Sequence, residues 1–207
     1  METKKEKVSY CIGAEAGRNI GSQFDELDFL QLVAGFKDGI EKKPLALPPH
    51  EMNEIQEKLR EEVVKQRQRH IEQLAAKNKD EGEQFLLRNH RNPDVKVLPS
   101  GLQYEVLVSG TGRSPKSYEK VLARYKGSLL NGAVFDQTLD SDPPRAFVVA
   151  ETIPGWSEAI QMMRVGDKWR VFVPSYLAYR EHGRPGTMIE PNMVLIFEIE
   201  LVDILEN

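Results

Sequence analysis

Residues 125–136 read YKGSLLNGAVFD and residues 153–156 read IPGW, in a half of the chain that otherwise consists of short strand-like segments. Both stretches belong to an ordered set of six aromatic residues and one carboxylate. The members are Tyr125, Phe135, Asp136, Phe147, Trp156, Tyr179 and Phe197. Aromatic side chains that gather around one concavity form a dry, flat-walled pocket with a few polar groups. Such a pocket suits a five-membered apolar ring better than a sugar, a phosphate or a metal.

The strand pattern extends to both sides of these stretches. β-Branched and aromatic residues predict strands over residues 103–108, 120–129, 146–149, 168–173 and 194–201. In the last segment apolar residues alternate with Glu198 and Glu200, which predicts one buried face and one exposed face. Residues 155–163 predict one short helix, with Trp156 on its inward side. The fold class of this half is therefore α+β, a curved antiparallel sheet wrapped around one short helix.

The half before about residue 97 has apolar residues at helical spacing. A first helix carries Gly13, Gly17 and Gly21 in one stripe, which favours close approach of another helix; a weak, frayed helix is the alternative. A second amphipathic helix follows Asp28, a residue placed to cap it. A third helical pattern runs from about Pro49 to Asn89, with Gly82 as its expected weak point, and would be about 60 Å long. Its polar middle predicts either a helix that bridges domains through solvent or a charged linker that frays.

Composition excludes several classes of function. The 207 residues allow one large domain or two small ones. A formal charge of −4 argues against a nucleic-acid-binding protein, which would need a basic surface. Cys11 is the single cysteine, so neither an intramolecular disulfide nor a cysteine metal cluster is expected. The four histidines show no spacing of metal ligands, and we expect no cofactor and no metal.

The N-terminus predicts the compartment. Residues 1–7 are charged and lead into no apolar run long enough for a signal peptide. No segment approaches the roughly 18–20 apolar residues of a membrane span. The sequence as written therefore predicts a cytoplasmic protein; the periplasm or cell envelope is the alternative if the chain is a mature form.

The amino-acid sequences of residues 126–136, 153–156 and 194–198, and their order in the chain, resemble those of the FKBP-type peptidyl-prolyl cis-trans isomerases. Residues 7–13 and 35–39 are similar to the N-terminal region of the Mip-like (macrophage infectivity potentiator) members. This resemblance implies a helical dimerisation region at 1–48, a long connecting helix at 49–96 and a catalytic domain at 97–207. It also implies a homodimer, in which the two short helices interlock with those of a second subunit.

The resemblance implies roles for individual residues. Trp156 is expected to form the floor of the pocket, and Tyr179 to donate its hydroxyl to a substrate carbonyl. Asp136 would lie beside the reacting carbonyl, held by Tyr125, and would act by orientation and electrostatics. The backbone N–H group of Ile153 would bind another carbonyl. The remaining implied substrate-binding residues are Phe135, Phe147, Val149, Ala178, Ile189 and Phe197. Taken singly, each also has a plain interpretation as a core or turn residue.

The implied activity is isomerisation of proline bonds in unfolded or loop polypeptides. Rotation about a peptide bond has a barrier of about 18–20 kcal/mol, because resonance is lost. An apolar pocket can stabilise the twisted state without proton transfer, so no covalent or metal chemistry is needed. A client-binding chaperone with incidental turnover, and a structural or targeting dimer that merely retains the fold, are the alternatives.

Departures from the family pattern bear on inhibitors and substrates. The resemblance implies macrolides such as tacrolimus and rapamycin as ligands. Arg180 stands where family members usually have glycine, and Glu190 where many have proline. The acidic, proline-bearing loop 140–145 offers no evident counterpart to a basic residue sometimes found there. Substrate preference and macrolide affinity therefore depend on this chain's own loops.

Overall fold

The computed structural model describes residues 3–24, 26–139 and 141–205. Asp140, the first residue of the acidic loop, lies outside the described residues. The chain divides into two compact units, Met1–Gln68 and Arg69–Asn207. Three long helices begin in the first unit: α1 (Lys4–Gly21), α2 (Phe29–Glu41) and α3 (Pro49–Asn89).

The N-termini of α1 and α2 are fixed by side-chain caps. Thr3 accepts a hydrogen bond from the Glu6 N–H group, and the Glu6 carboxylate accepts one from the Thr3 N–H group, which forms a capping box. Asp28 accepts from the N–H groups of Leu30 and Gln31 and so caps α2, as predicted. These caps satisfy backbone donors that would otherwise lack partners at the helix starts.

The helices of the first unit leave their apolar side chains in solvent. No described residue of α1 or α2 is buried. Large apolar side chains that are at least two-fifths exposed include Val8, Tyr10, Ile12, Phe29, Leu30, Val33, Phe36, Ile40, Ile55 and Leu59. So much exposed apolar surface on capped helices is typical of a face that needs a partner.

The second unit is built on one antiparallel sheet. Among the described residues, its strands are β1 (Val95–Val97), β2 (Gln103–Val108), β3 (Lys120–Leu129), β4 (Val134–Gln137), β5 (Arg145–Val148), β6 (Lys168–Val173) and β7 (Leu195–Leu205). Their order is β1-β2-β6-β7-β3-β4, and β5 also pairs with β3. Along one edge, β3 pairs with β7 throughout its length; along the other it pairs first with β5 and then with β4.

Helix α4 (Pro154–Met162) packs against one face of this sheet. Trp156, Ala159 and Ile160 are buried there, with alternate residues of β7 on the opposite side of the core. Short 3₁₀ turns lie at Val149–Glu151, Ser175–Leu177 and Arg180–His182. The predicted fold class, an N-terminal helical region followed by an antiparallel sheet around one short helix, is confirmed.

The end of α3 belongs to the second unit and packs against the sheet. The rings of Phe85 and Phe172 lie 5.7 Å apart, and Gln103 donates to the carbonyl oxygen of Leu86 at 3.0 Å. Gly82 is buried, and a Cβ atom placed there would lie 2.7 Å from a Val194 methyl group. The expectation that Gly82 weakens the helix is wrong, because the helix is continuous through it and uses the missing side chain to approach the sheet.

Candidate functional site

An indole ring surrounded by three other aromatic rings forms the centre of the site. Trp156, at the start of α4, is only 5% exposed. Its ring meets those of Tyr125, Phe147 and Phe197 edge to face, with centroids 5.1, 5.4 and 5.4 Å apart. Edge-to-face pairs place the positive edge of one ring against the negative face of another, so these contacts hold each ring at a fixed angle.

The absence of a side chain at one β3 position makes room for this arrangement. The rings of Phe135 and Phe197 lie 5.5 Å apart over Gly127, where a Cβ atom would approach Phe135 to 2.6 Å and Phe197 to 2.9 Å. Any other residue at position 127 would push these rings out of place. Gly127 is therefore a positional requirement of the aromatic cluster that the sequence analysis did not identify.

A closed polar network lies beside the rings. Tyr125 donates its hydroxyl proton to Asp136 Oδ2 at 2.7 Å, and Arg145 donates from Nη1 to the Tyr125 hydroxyl oxygen at 2.7 Å. Arg145 Nη1 also lies 3.4 Å from Asp136 Oδ1. Burial, with a contribution from the Asp136 carboxylate, raises the pKa of Tyr125 to about 12, while Arg145 acts in the opposite direction. Tyr125 is therefore a protonated donor throughout the physiological range.

Arg145 is a cavity-lining residue that sequence reasoning missed. The expectation that loop 140–145 lacks a basic residue for the pocket is wrong, since the last residue of that loop supplies one. Arg145 opens strand β5, which pairs with β3, and its register partner is Ala123. Tyr125 lies on the same strand as Ala123, two residues further on. The pairing of β5 with β3 could have indicated this proximity, but a four-residue strand gives too weak a pattern to set its register.

The rings and the polar network border a cavity of about 530 Å³. Most of the predicted site residues line it: Tyr125, Phe135, Asp136, Phe147, Ile153, Trp156, Tyr179 and Phe197. Arg145, Glu151, Thr152 and Arg184 add polar groups at its edge. The Arg184 guanidinium lies 5.9 Å from the Tyr179 ring centroid. The cavity therefore combines an apolar floor with charged groups of both signs at its rim.

Three of the predicted substrate-binding residues lie behind or beside this cavity. Val149 is fully buried, Ile189 is 4% exposed and Ala178 packs partly buried against the same core. None of the three borders the cavity among the described residues. Their positions are those of supports for the walls, and their roles in binding stay predictions.

The two departures from the family pattern have structural explanations. Arg180 adopts a φ of 52°, in the left-handed region that a glycine would occupy without strain. Glu190 is not among the residues that line the cavity, and its carboxylate accepts a hydrogen bond from Asn78 of α3 at 3.2 Å. Thus Glu190 serves the contact between this loop and α3, and it adds no charge to the pocket lining.

The described part of the chain holds neither a metal-binding cluster nor a membrane-spanning helix. No cluster of three or more His, Cys, Asp or Glu side chains there could hold a metal ion. None of the described helices is long and apolar enough to cross a membrane. Cys11 is a free, exposed thiol.

Two family models match consecutive parts of the chain. The domain amino terminal to FKBP-type peptidyl-prolyl isomerase matches residues 5–106, and the FKBP-type peptidyl-prolyl cis-trans isomerase model matches residues 111–202. A crystal structure of FkpA from Escherichia coli superposes with a TM-score of 0.79 at 31% identity, covering 99% of this chain and 98% of that chain.

Curated relatives agree with the family models and correct the compartment. Outer membrane protein MIP of Legionella longbeachae is 39% identical and aligns with 99% of this chain and 87% of its own length. Peptidyl-prolyl cis-trans isomerase Mip of Coxiella burnetii is 33% identical, with 99% and 88% covered. The expectation of a cytoplasmic protein is wrong, because a relative that matches almost the whole chain is named for the outer membrane. With an aromatic pocket in place and both models matched, the chain belongs to the FKBP-type peptidyl-prolyl cis-trans isomerases, enzymes that accelerate rotation about the peptide bond preceding proline.

Proposed function

We propose that the cavity over Trp156 binds the proline ring of a polypeptide and lowers the barrier to rotation mainly by excluding water. The observation that carries this proposal is the indole floor, buried among three edge-on rings. In the planar amide, resonance makes the carbonyl polar and well hydrated. The twisted amide has lost that resonance and is poorly served by water, so an apolar site favours it over the planar form.

Polar groups then orient the substrate. Tyr179 would donate its hydroxyl to one substrate carbonyl, and the N–H group of Ile153 to another. Asp136 would face the reacting carbonyl. Because its carboxylate is engaged by Tyr125 and Arg145, its proposed contribution is electrostatic orientation, with no proton transferred.

We also infer that three regions of the chain have different roles. The proposed domains are a dimerisation region at 1–48, a connecting helix at 49–96 and a catalytic domain at 97–207. The exposed apolar faces of α1 and α2 support a homodimer formed by these helices. Two pockets in one dimer would raise the effective concentration of a second site for a long client chain.

The proposed substrates are proline-containing unfolded or loop polypeptides, and the proposed compartment is the cell envelope. Tacrolimus and rapamycin are proposed inhibitors, since the aromatic floor and walls border one cavity and Glu190 does not line it. A macrolide titration of the isomerase activity would test this, and undiminished activity at saturating macrolide would contradict it.

A protease-free isomerisation assay on a short proline peptide, run beside refolding of a protein limited by proline isomerisation, tests the enzyme. Catalysis of both reactions is expected. Suppressed aggregation without catalysis of the short peptide would favour the chaperone alternative. Light scattering at tens of micromolar protein tests the dimer, and a monomer at that concentration would contradict it.

A further inference from the structure

The loop that follows Tyr179 is held from outside the pocket by helix α3. Asn78, only 7% exposed, lies on the face of α3 that packs on the second unit's loop and sheet. Its amide nitrogen donates to Glu190 Oε2 at 3.2 Å and to the Pro191 carbonyl oxygen at 3.0 Å. A carboxamide nitrogen has two hydrogens, so both donors of this buried group are used.

The loop in turn donates a hydrogen bond to α3. The side-chain amide of Asn192 donates to the Ala75 carbonyl oxygen of α3 at 3.2 Å. Two asparagines, one from each side, therefore join one turn of α3 to three consecutive loop residues. We call this pair of contacts, made by Asn78 and Asn192, the asparagine clamp. The close approach of Gly82 to Val194 brings helix and loop near enough for it to form.

The clamp connects to the pocket through backbone hydrogen bonds within the loop. The Asn192 N–H group donates to the Arg180 carbonyl oxygen at 2.8 Å, and the Arg184 N–H group donates to that of Ile189 at 2.8 Å. Arg180 directly follows Tyr179, whose ring lines the cavity. Contacts that fix the position of Asn192 therefore also fix the position of Arg180, the residue next to Tyr179.

Both ends of this connection adopt a left-handed backbone conformation, which asparagine tolerates better than arginine does. Arg180 has a φ of 52° and Asn192 a φ of 59°, in the left-handed region that non-glycine residues rarely occupy. Such conformations persist only where surrounding contacts hold them. The asparagine clamp supplies contacts of this kind, so its loss should let the loop relax toward other conformations.

We propose that Asn78 is a positioning residue of the isomerase: through the asparagine clamp it holds loop 179–192 so that Tyr179 meets the substrate in one fixed geometry. It thereby sets kcat/KM and the preference for the residue preceding proline, although it does not touch the substrate. The inference rests on the proposed function, in which Tyr179 binds a substrate carbonyl.

The test replaces Asn78 in the full-length chain. Asn78→Asp keeps the shape of the side chain but removes both donors and places a carboxylate against Glu190. The matched control is Gln73→Glu, which adds the same charge to an exposed position of α3. Amide hydrogen exchange over residues 180–192 and kcat/KM on two peptides that differ before proline are measured well below the unfolding temperature.

Asn78→Asp should accelerate exchange in the loop by about tenfold, as expected for the loss of one hydrogen bond to a carboxylate and one to a backbone carbonyl. It should also lower kcat/KM severalfold and change the ratio between the two peptides, which a change in stability alone would not do. Gln73→Glu should leave both measurements unchanged. In the double variant Asn78→Asp/Glu190→Gln, the new amide can donate to the new carboxylate, so part of the lost kcat/KM should return.

Two results would overturn the inference. If loop exchange is unchanged in Asn78→Asp, the clamp does not hold the loop. If exchange accelerates while kcat/KM and the peptide ratio equal those of the wild type, the clamp has no role in catalysis. A wild-type chain without isomerase activity would instead overturn the proposed function, so the two failures are distinguishable. Asn192→Gly, which removes the side-chain hydrogen bond to Ala75 while it tolerates the left-handed φ and adds no charge, should reproduce the changed peptide ratio.

Discussion

Replacing Trp156 separates packing from hydrogen bonding in the pocket. Removing a large buried aromatic side chain typically costs about 3–5 kcal/mol of folding free energy. Trp156→Ala also removes three edge-to-face contacts, each worth about 0.5–1.5 kcal/mol beyond burial, which places it at the upper end of that range. The melting temperature of the chain should fall on the order of 10 °C, and isomerase activity should be lost with the floor.

Tyr179→Phe is the matched comparison, since it keeps the wall and removes only a hydroxyl. One hydrogen bond contributes about 0.5–1.5 kcal/mol net, so kcat/KM should fall by up to about tenfold. Its stability should be unchanged, because no hydrogen bond from that hydroxyl to a described residue is present in the fold.

Trp156→Phe provides a further control. The indole Nε1 atom is buried without a hydrogen-bond partner among the described residues, so this change forfeits no hydrogen bond. It should retain more stability and activity than Trp156→Ala. Thermal unfolding and a protease-free isomerisation assay measure the series. Equal stability and equal activity of Trp156→Ala and Tyr179→Phe would refute the assigned roles of floor and donor.

Three further predictions concern the polar network, the helix and the domain boundary. Asp136→Ala should reduce turnover without abolishing folding and should lower the pKa of Tyr125 from about 12, although burial, the larger cause, still keeps it raised; an unchanged pKa in ultraviolet titration would contradict the network. The pKa of Tyr125 is higher in the folded chain than the value near 10 of an unfolded tyrosine, so the protonated side chain favours the folded state. The free energy of unfolding of the wild type should therefore fall as pH rises from 10 to 12. Gly82→Ala should destabilise the chain in thermal unfolding, since the new methyl group meets the stiff Val194 side chain at 2.7 Å. Fragment 97–207 should keep isomerase activity on a short peptide but unfold at a lower temperature than fragment 69–207, which retains strand β1 and the packing of Phe85 on Phe172; equal melting temperatures would show that neither β1 nor the end of α3 stabilises the domain.

Strand positions followed from the sequence where alternation was long enough to read. The predicted strands at 103–108, 120–129 and 168–173 match β2, β3 and β6 residue for residue, and Asp28 caps α2 as expected. Strands β1 and β4 were missed, since three or four residues carry little periodicity and β4 follows directly on a turn. Short strands acquire their structure from a neighbouring strand, which the local pattern does not encode.

The candidate site shows the same division between local pattern and long-range contact. Its aromatic residues could be named from their order, because each belongs to a recognisable local stretch. Arg145 and Gly127 could not, since the importance of each depends on what the fold brings next to it. The role of Glu190 also depends on the fold. The sequence predicted it beside the pocket, whereas in the structure its carboxylate accepts a hydrogen bond from Asn78.

The interlocking of the pocket rings has a consequence for the kind of ligand that gains most from it. The aromatic walls hold one another in place, so the site needs little rearrangement to bind a ligand. The conformational entropy lost on binding is therefore mainly that of the ligand. A linear peptide loses rotational freedom at several bonds when it binds. A ligand constrained by a ring has little such freedom even before it binds. Calorimetry should therefore find a smaller entropic penalty for cyclic proline-like ligands than for linear peptides that present the same ring to the indole.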